Sequence, residues 1–87
     1  YDAYPNPFNP ITNIEYHLPK KMMVEIIIYD VLGNFITKFV KQGEGPGQYS
    51  VQWNGTNHTG QGVSAGVYLY KIQVGDFVDT KKMILLK

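Results

Sequence analysis

Apolar side chains in this chain recur at every second position in short runs, and each run stops at a turn rich in glycine or proline. Ile14, Tyr16 and Leu18 alternate with Asn13, Glu15 and His17 until Pro19. Because successive strand side chains point to opposite faces, this is a half-buried strand. Val24, Ile26 and Ile28 repeat the pattern around Glu25, and a β-branched run continues to Tyr29 before Asp30-Val31-Leu32-Gly33-Asn34 turns the chain. Residues 35–41 form a third apolar run, but Ile36, Phe39 and Val40 cannot share one face of a regular strand, so a bulge or an edge position is expected. Gly43-Glu44-Gly45-Pro46-Gly47 is a loop by composition. Tyr49, Val51 and Trp53 then alternate with Ser50 and Gln52, and residues 54–62 form a polar, glycine-containing loop. In residues 66–74, Tyr68, Tyr70, Ile72 and Val74 alternate with Val67, Leu69, Lys71 and Gln73. After a tight turn at Gly75-Asp76, residues 77–86 end apolar on both faces, with Met83 and Leu85 opposite Ile84 and Leu86. No segment carries a helical period.

Six clear strands with short connections, and room for a seventh, specify an all-β fold. With 87 residues, the match is to an immunoglobulin-like antiparallel β-sandwich of about seven strands. Residues 1–87 are read as one domain with a proline-rich lead-in at residues 1–11, where Pro5, Pro7 and Pro10 fix φ and remove backbone donors. A chain this short buries only about 60 to 65% of the surface exposed when unfolded, which leaves no second lobe to form an interdomain cleft. Its opening, Tyr1-Asp2-Ala3-Tyr4, has neither an initiator Met nor the layout of a signal peptide, so the chain is read as a piece of a larger protein.

Composition argues against several function classes. Eight lysines, no arginine and seven acids give a net charge of +1, so the guanidinium fork that grips phosphates and guanine edges is missing and nucleic acid is not an expected partner. No cysteine is present, which removes disulfides and thiolate metal sites. No stretch approaches the ~18 consecutive apolar residues of a membrane span, and membrane insertion is not expected. His17 and His58 lack a second ligand at helical or turn spacing, so neither is read as a metal ligand, and no cofactor is implied. Glu15, Glu25, Asp30, Glu44, Asp76 and Asp79 are dispersed among the elements, and Ser50 and Ser64 lack a neighbouring base, so no catalytic residue is assigned and an enzyme is not expected. Seven tyrosines and Trp53 raise the alternative of a carbohydrate-binding or structural immunoglobulin-like accessory module of a secreted enzyme. Against the sugar reading, Tyr16, Tyr49 and Trp53 fall on inward faces, leaving Tyr29 and one of Tyr68 and Tyr70 as outward candidates. Asn54-Gly55-Thr56 and Asn57-His58-Thr59 match glycan acceptor patterns but are explained as turns.

Together the motifs carry more than the period does. Tyr4-Pro5-Asn6-Pro7-Phe8-Asn9-Pro10, Ile28-Tyr29-Asp30 with Gly33, Trp53-Asn54-Gly55, Gly66-Val67-Tyr68, and Lys82-Met83 before Leu85-Leu86-Lys87 resemble, over nearly the whole chain, the type A C-terminal sorting domain of the type IX secretion system. The pattern is shared with the immunoglobulin-like domain of flagellar hook-capping proteins. Asn54 departs from the aspartate more usual there.

The resemblance implies a non-catalytic sorting signal on a large exported protein of a Gram-negative bacterium. Its partners would be the type IX translocon, an outer-membrane shuttle, a sortase-like protease and a covalently linked N-terminal cargo domain. The cargo would pass through the periplasm to the cell surface or the extracellular space, with cleavage at or before residues 1–4. Recognition by the translocon falls, on the same resemblance, on Gly66, Tyr68, Gly75, Lys81, Lys82 and Lys87. In physical terms, an edge strand at residues 77–87 offers a main-chain ladder for strand addition, with lysines setting its register. Gly66 is expected to permit close backbone approach, and Tyr68 to anchor in the core with its hydroxyl reaching a partner. The lead-in is expected to be a stiff spacer.

Overall fold

The computed structural model describes residues 3–4 and 11–86 of the chain. Seven strands follow one another: β1 (Ala3–Tyr4), β2 (Thr12–Leu18), β3 (Met22–Asp30), β4 (Phe35–Glu44), β5 (Gly47–Trp53), β6 (Gly66–Val74) and β7 (Phe77–Leu85). They form two antiparallel sheets, one in the order β1-β2-β5 and one in the order β4-β3-β6-β7. The architecture is the expected immunoglobulin-like sandwich.

Alternation decides which side chains lie between the sheets. On β2, Thr12, Ile14, Tyr16 and Leu18 are buried, while Glu15 and His17 are exposed. Opposite them, Val24, Ile26 and Ile28 of β3 and Tyr68, Tyr70, Ile72 and Val74 of β6 close the other side, with Val51, Trp53, Met83 and Leu85 completing one cluster. Each such side chain, fully buried, contributes on the order of 1.5 to 3 kcal/mol. Trp53 holds its corner by geometry as well as area: its indole Nε1–H donates to the Thr56 carbonyl at 2.8 Å, and its ring meets Tyr68 edge-on at 5.4 Å between centroids. Tyr49 stacks on Tyr16 at 5.7 Å and donates its hydroxyl hydrogen to the Gly45 carbonyl.

The irregularity expected in the third run is present, and it takes both forms, since β4 is bulged and lies at a sheet edge. Between the pairs Met22↔Glu44 and Val24↔Lys41, β4 uses three steps against two on β3; between Ile28↔Thr37 and Tyr29↔Phe35, it uses two against one. Each shift inserts one extra residue into β4, and this lets both Ile36 and Phe39 pack against the core while Val40 stays exposed. The seventh strand is β1, which pairs Ala3 with Ile14 and Tyr4 with Asn13. The start of the lead-in is therefore tied to the sandwich, and the Pro5-Asn6-Pro7-Phe8-Asn9-Pro10 motif lies outside the described residues.

Candidate functional site

Five of the residues singled out in the sequence, Gly66, Tyr68, Gly75, Lys81 and Lys82, fall on one element, the β6–β7 hairpin. Its register is unbroken from Gly66↔Leu85 to Val74↔Phe77. A two-residue loop, Gly75-Asp76, closes it, and Gly75 has φ +59°. One left-handed glycine at the first loop position is the type II′ pattern, whose twist matches that of the strands. Lys87 lies outside the described residues.

Within the hairpin these residues have different surroundings. Tyr68 is buried in the core, where its hydroxyl donates to the Ser64 carbonyl at 2.6 Å. Tyr70 is also fully buried, so Tyr68 and Tyr70 both face inward and Tyr29 is the one outward ring of the three. At Gly66 no atom lies within 4 Å of where a Cβ would sit. Its φ of +150° is a backbone conformation that residues with side chains rarely adopt. Lys81 and Lys82, being neighbours on a strand, point to opposite faces: Lys81 is half-buried beside Tyr70, whereas Lys82 is exposed beside Leu69 on the outer face. They therefore do not make one basic patch.

At the opposite end of the sheet, the turn joining β3 to β4 is organised by one carboxylate. Oδ1 of Asp30 accepts from the backbone N–H of Leu32 and of Asn34, both at 2.9 Å, and Oδ2 accepts from the Asn34 side-chain amide at 3.0 Å. These donors, the Asn34 backbone N–H foremost, hold the Asp30 carboxyl below its ordinary value of 3.8. The turn presents Leu32 to solvent at 83% exposure, a signal that periodicity alone does not carry. In the 54–62 loop, Asn57 Oδ1 accepts from Thr59 N, Thr59 Oγ1 and Gln61 N, and Asn54 Oδ1 from Thr56 Oγ1. The two acceptor-like patterns thus serve as turns. His58 is exposed; its backbone N–H donates to the Ile36 carbonyl at 2.9 Å and its ring packs on Phe35.

Among the described residues, no three His, Cys, Asp or Glu side chains gather where an ion could be held, and no helix is long and apolar enough to cross a membrane. A depression lined by Met23, Glu25, Gln73 and Gly75 has a volume of about 200 Å³, below the range of a typical small-molecule pocket. Tyr16, Trp53, Tyr68 and Tyr70 form no exposed row of rings of the kind that stacks on sugars. The described residues present strand edges and sheet faces.

The chain is similar in structure to dimeric latent PorU of Porphyromonas gingivalis, with a TM-score of 0.78 at 21% identity over 98% of this chain and 9% of that one. FlgD of Xanthomonas campestris, a protein of flagellar hook capping, superposes with a TM-score of 0.68 at 20% identity, covering 94% of this chain and 59% of that one. PorZ of Porphyromonas gingivalis, described as an essential surface component of the type-IX secretion system, gives 0.63 at 18% identity over 99% of this chain and 11% of that one. The chain thus spans from under a tenth to about three fifths of the proteins it resembles, and at these identities the likeness is one of fold. No curated protein matches it in sequence. A family pattern, however, covers residues 2–86, and on that match the chain belongs to the secretion system C-terminal sorting domains, a non-catalytic family that marks cargo for type IX secretion across the outer membrane.

Proposed function

We propose that residues 1–87 act as one export address for a covalently linked N-terminal cargo domain, and that the β6–β7 hairpin is the part the translocon and its outer-membrane shuttle read. Gly66, Tyr68 and Gly75 shape this hairpin, and Lys81, Lys82 and Lys87 supply its charge. A sortase-like protease would cut at or before residues 1–4 and leave the cargo at the cell surface or free outside the cell. The observation that carries the reading is the place of β7: it lies at the edge of the four-stranded sheet, with β6 as its strand partner and no strand beyond it among the described residues. An edge of this kind accepts an added strand through main-chain hydrogen bonds.

The test is a reporter fused ahead of these residues in a host with type IX secretion. Removal of residues 77–87 is expected to leave the reporter in the periplasm. Since that deletion also takes Met83 and Leu85 out of the core, a second variant, Lys81→Glu with Lys82→Glu, is compared after its fold is verified by circular dichroism. Undiminished export of both variants would overturn the assignment. Loss in the deletion alone would move recognition off the two lysines.

A further inference from the structure

The two sheets turn unlike faces to solvent. Outward positions of β2 and β5 pair Asn13 with Gln52, Glu15 with Ser50 and His17 with Gln48, a face without lysine or any large apolar side chain. That is the polar exterior expected of a sandwich. Outward positions of the four-stranded sheet instead fall into rows across the strands. One row runs Phe35, Tyr29, Leu69, Lys82 and the next runs Lys38, Ile27, Lys71, Thr80. Ile27, Tyr29 and Leu69 are half-buried in the middle of this face, and Lys38 and Lys82 are exposed at its sides.

Strands lie about 4.8 Å apart, so Lys38 and Lys71 stand roughly 10 Å from each other across Ile27. Glu25 is the one acid at the outward strand positions of this face, against the three lysines. An apolar centre flanked by one sign of charge has the anatomy of a contact surface, with apolar area for affinity and charge for orientation. A second copy of the chain does not fit, because it would set lysines against lysines. A lipid surface fits less well at the centre of the face, where Ile27, Tyr29 and Leu69 are half-covered by their neighbours, while the exposed apolar side chains, Met23, Phe35, Val40, Val67, Val78 and Ile84, lie around it.

We propose that the outer face of the β4-β3-β6-β7 sheet binds a protein segment that is acidic and partly apolar. Its carboxylates would meet Lys38, Lys71 and Lys82, and its apolar side chains would lie over Ile27, Tyr29 and Leu69. This rests on the sorting reading only in taking the partner to be a protein of the export route. The test is binding in solution, which stands or falls separately from export.

The 87-residue chain, labelled with ¹⁵N, is titrated with a synthetic peptide alternating Glu with Val and Phe, with its Lys-for-Glu counterpart, and with phosphatidylglycerol vesicles. The acidic peptide is expected to shift the amide signals of Ile27, Tyr29, Leu69 and Lys71 and to leave Asn13, Glu15 and Gln48 unmoved. Its affinity should fall about tenfold in the Lys38→Glu, Lys71→Glu double variant and fall likewise at high salt. Thermal melting shows whether the double variant is folded; Lys38→Gln with Lys71→Gln replaces it if it is not. The proposal is overturned by an absence of shifts, by shifts on β2 and β5 or only along β7, by equal binding of the two peptides, or by vesicles binding where the acidic peptide does not, which assigns the face to lipid.

Discussion

Strands β4 and β7 flank the same four-stranded sheet, yet β4 reaches its neighbour with two inserted residues while β7 keeps one register from Phe77 to Leu85. The loop that follows β5 also fastens onto β4, where His58 donates its backbone N–H to the Ile36 carbonyl and lays its ring on Phe35. Bulges and a covering loop are the usual ways in which a sheet edge is closed to another chain. Among the described residues strand β7 carries neither; instead it is anchored from inside by Met83 and Leu85, both essentially without solvent exposure. Two edges of one sheet can thus be given opposite roles, one closed by irregular backbone and one kept straight by its core contacts.

The largest effect that tests this contrast comes from trimming each strand where it meets the core. Met83→Ala is expected to cost about 2 to 5 kcal/mol in chemical denaturation. Phe39→Ala, on a side chain of β4 that is only half-buried, should cost about 1 kcal/mol. Equal losses would mean that β7 is not the better anchored edge.

A smaller effect separates the turns that serve the two strands. Gly75→Ala forces a side chain into φ +59° with its Cβ 2.7 Å from Met22 Cε, and about 1 to 2 kcal/mol should be lost. Gly45→Ala, between β4 and β5, meets nothing within 4 Å and no left-handed backbone, so its change should stay within about 0.5 kcal/mol. A costly Gly45 variant would show that the β4 side is the more tightly specified.

The smallest effect is a pH dependence at the turn leading into β4. Because the native carboxyl of Asp30 is held below 3.8, its stabilising contribution is complete above that value and is lost as pH falls through the lowered native value. Melting of the native chain should therefore drop more between about pH 5 and pH 2 than melting of Asp30→Asn. Parallel drops would remove the carboxylate from the account of this turn.

Much of this architecture was legible because a strand with one wet face writes its orientation into every second residue. The strand at Gly66–Val74 was readable to its ends, and β4 announced its bulge through Ile36, Phe39 and Val40. In that strand Lys71 and Gln73 mark the outward set, so Tyr68 and Tyr70 go in with Ile72 and Val74; what the period does not carry is that Tyr68 meets the Trp53 ring and the Ser64 carbonyl. The pairing of Ala3–Tyr4 with β2 was not legible either, since two residues carry no period. The division of Lys81 from Lys82 follows from the strand at Phe77–Leu85, since Lys81 shares its parity with Met83 and Leu85 and Lys82 shares its parity with Ile84.

The order of the strands along the chain has a bearing on synthesis. Ile26 and Ile28 must wait for Tyr70 and Ile72, and all of them for Met83 and Leu85, before the interior is sealed. A ribosome that stops short of Leu85 leaves a protein whose two layers lack their last apolar contributors. The body that export machinery would handle thus doubles as a receipt that translation ran through it, and an incomplete product does not carry a valid one.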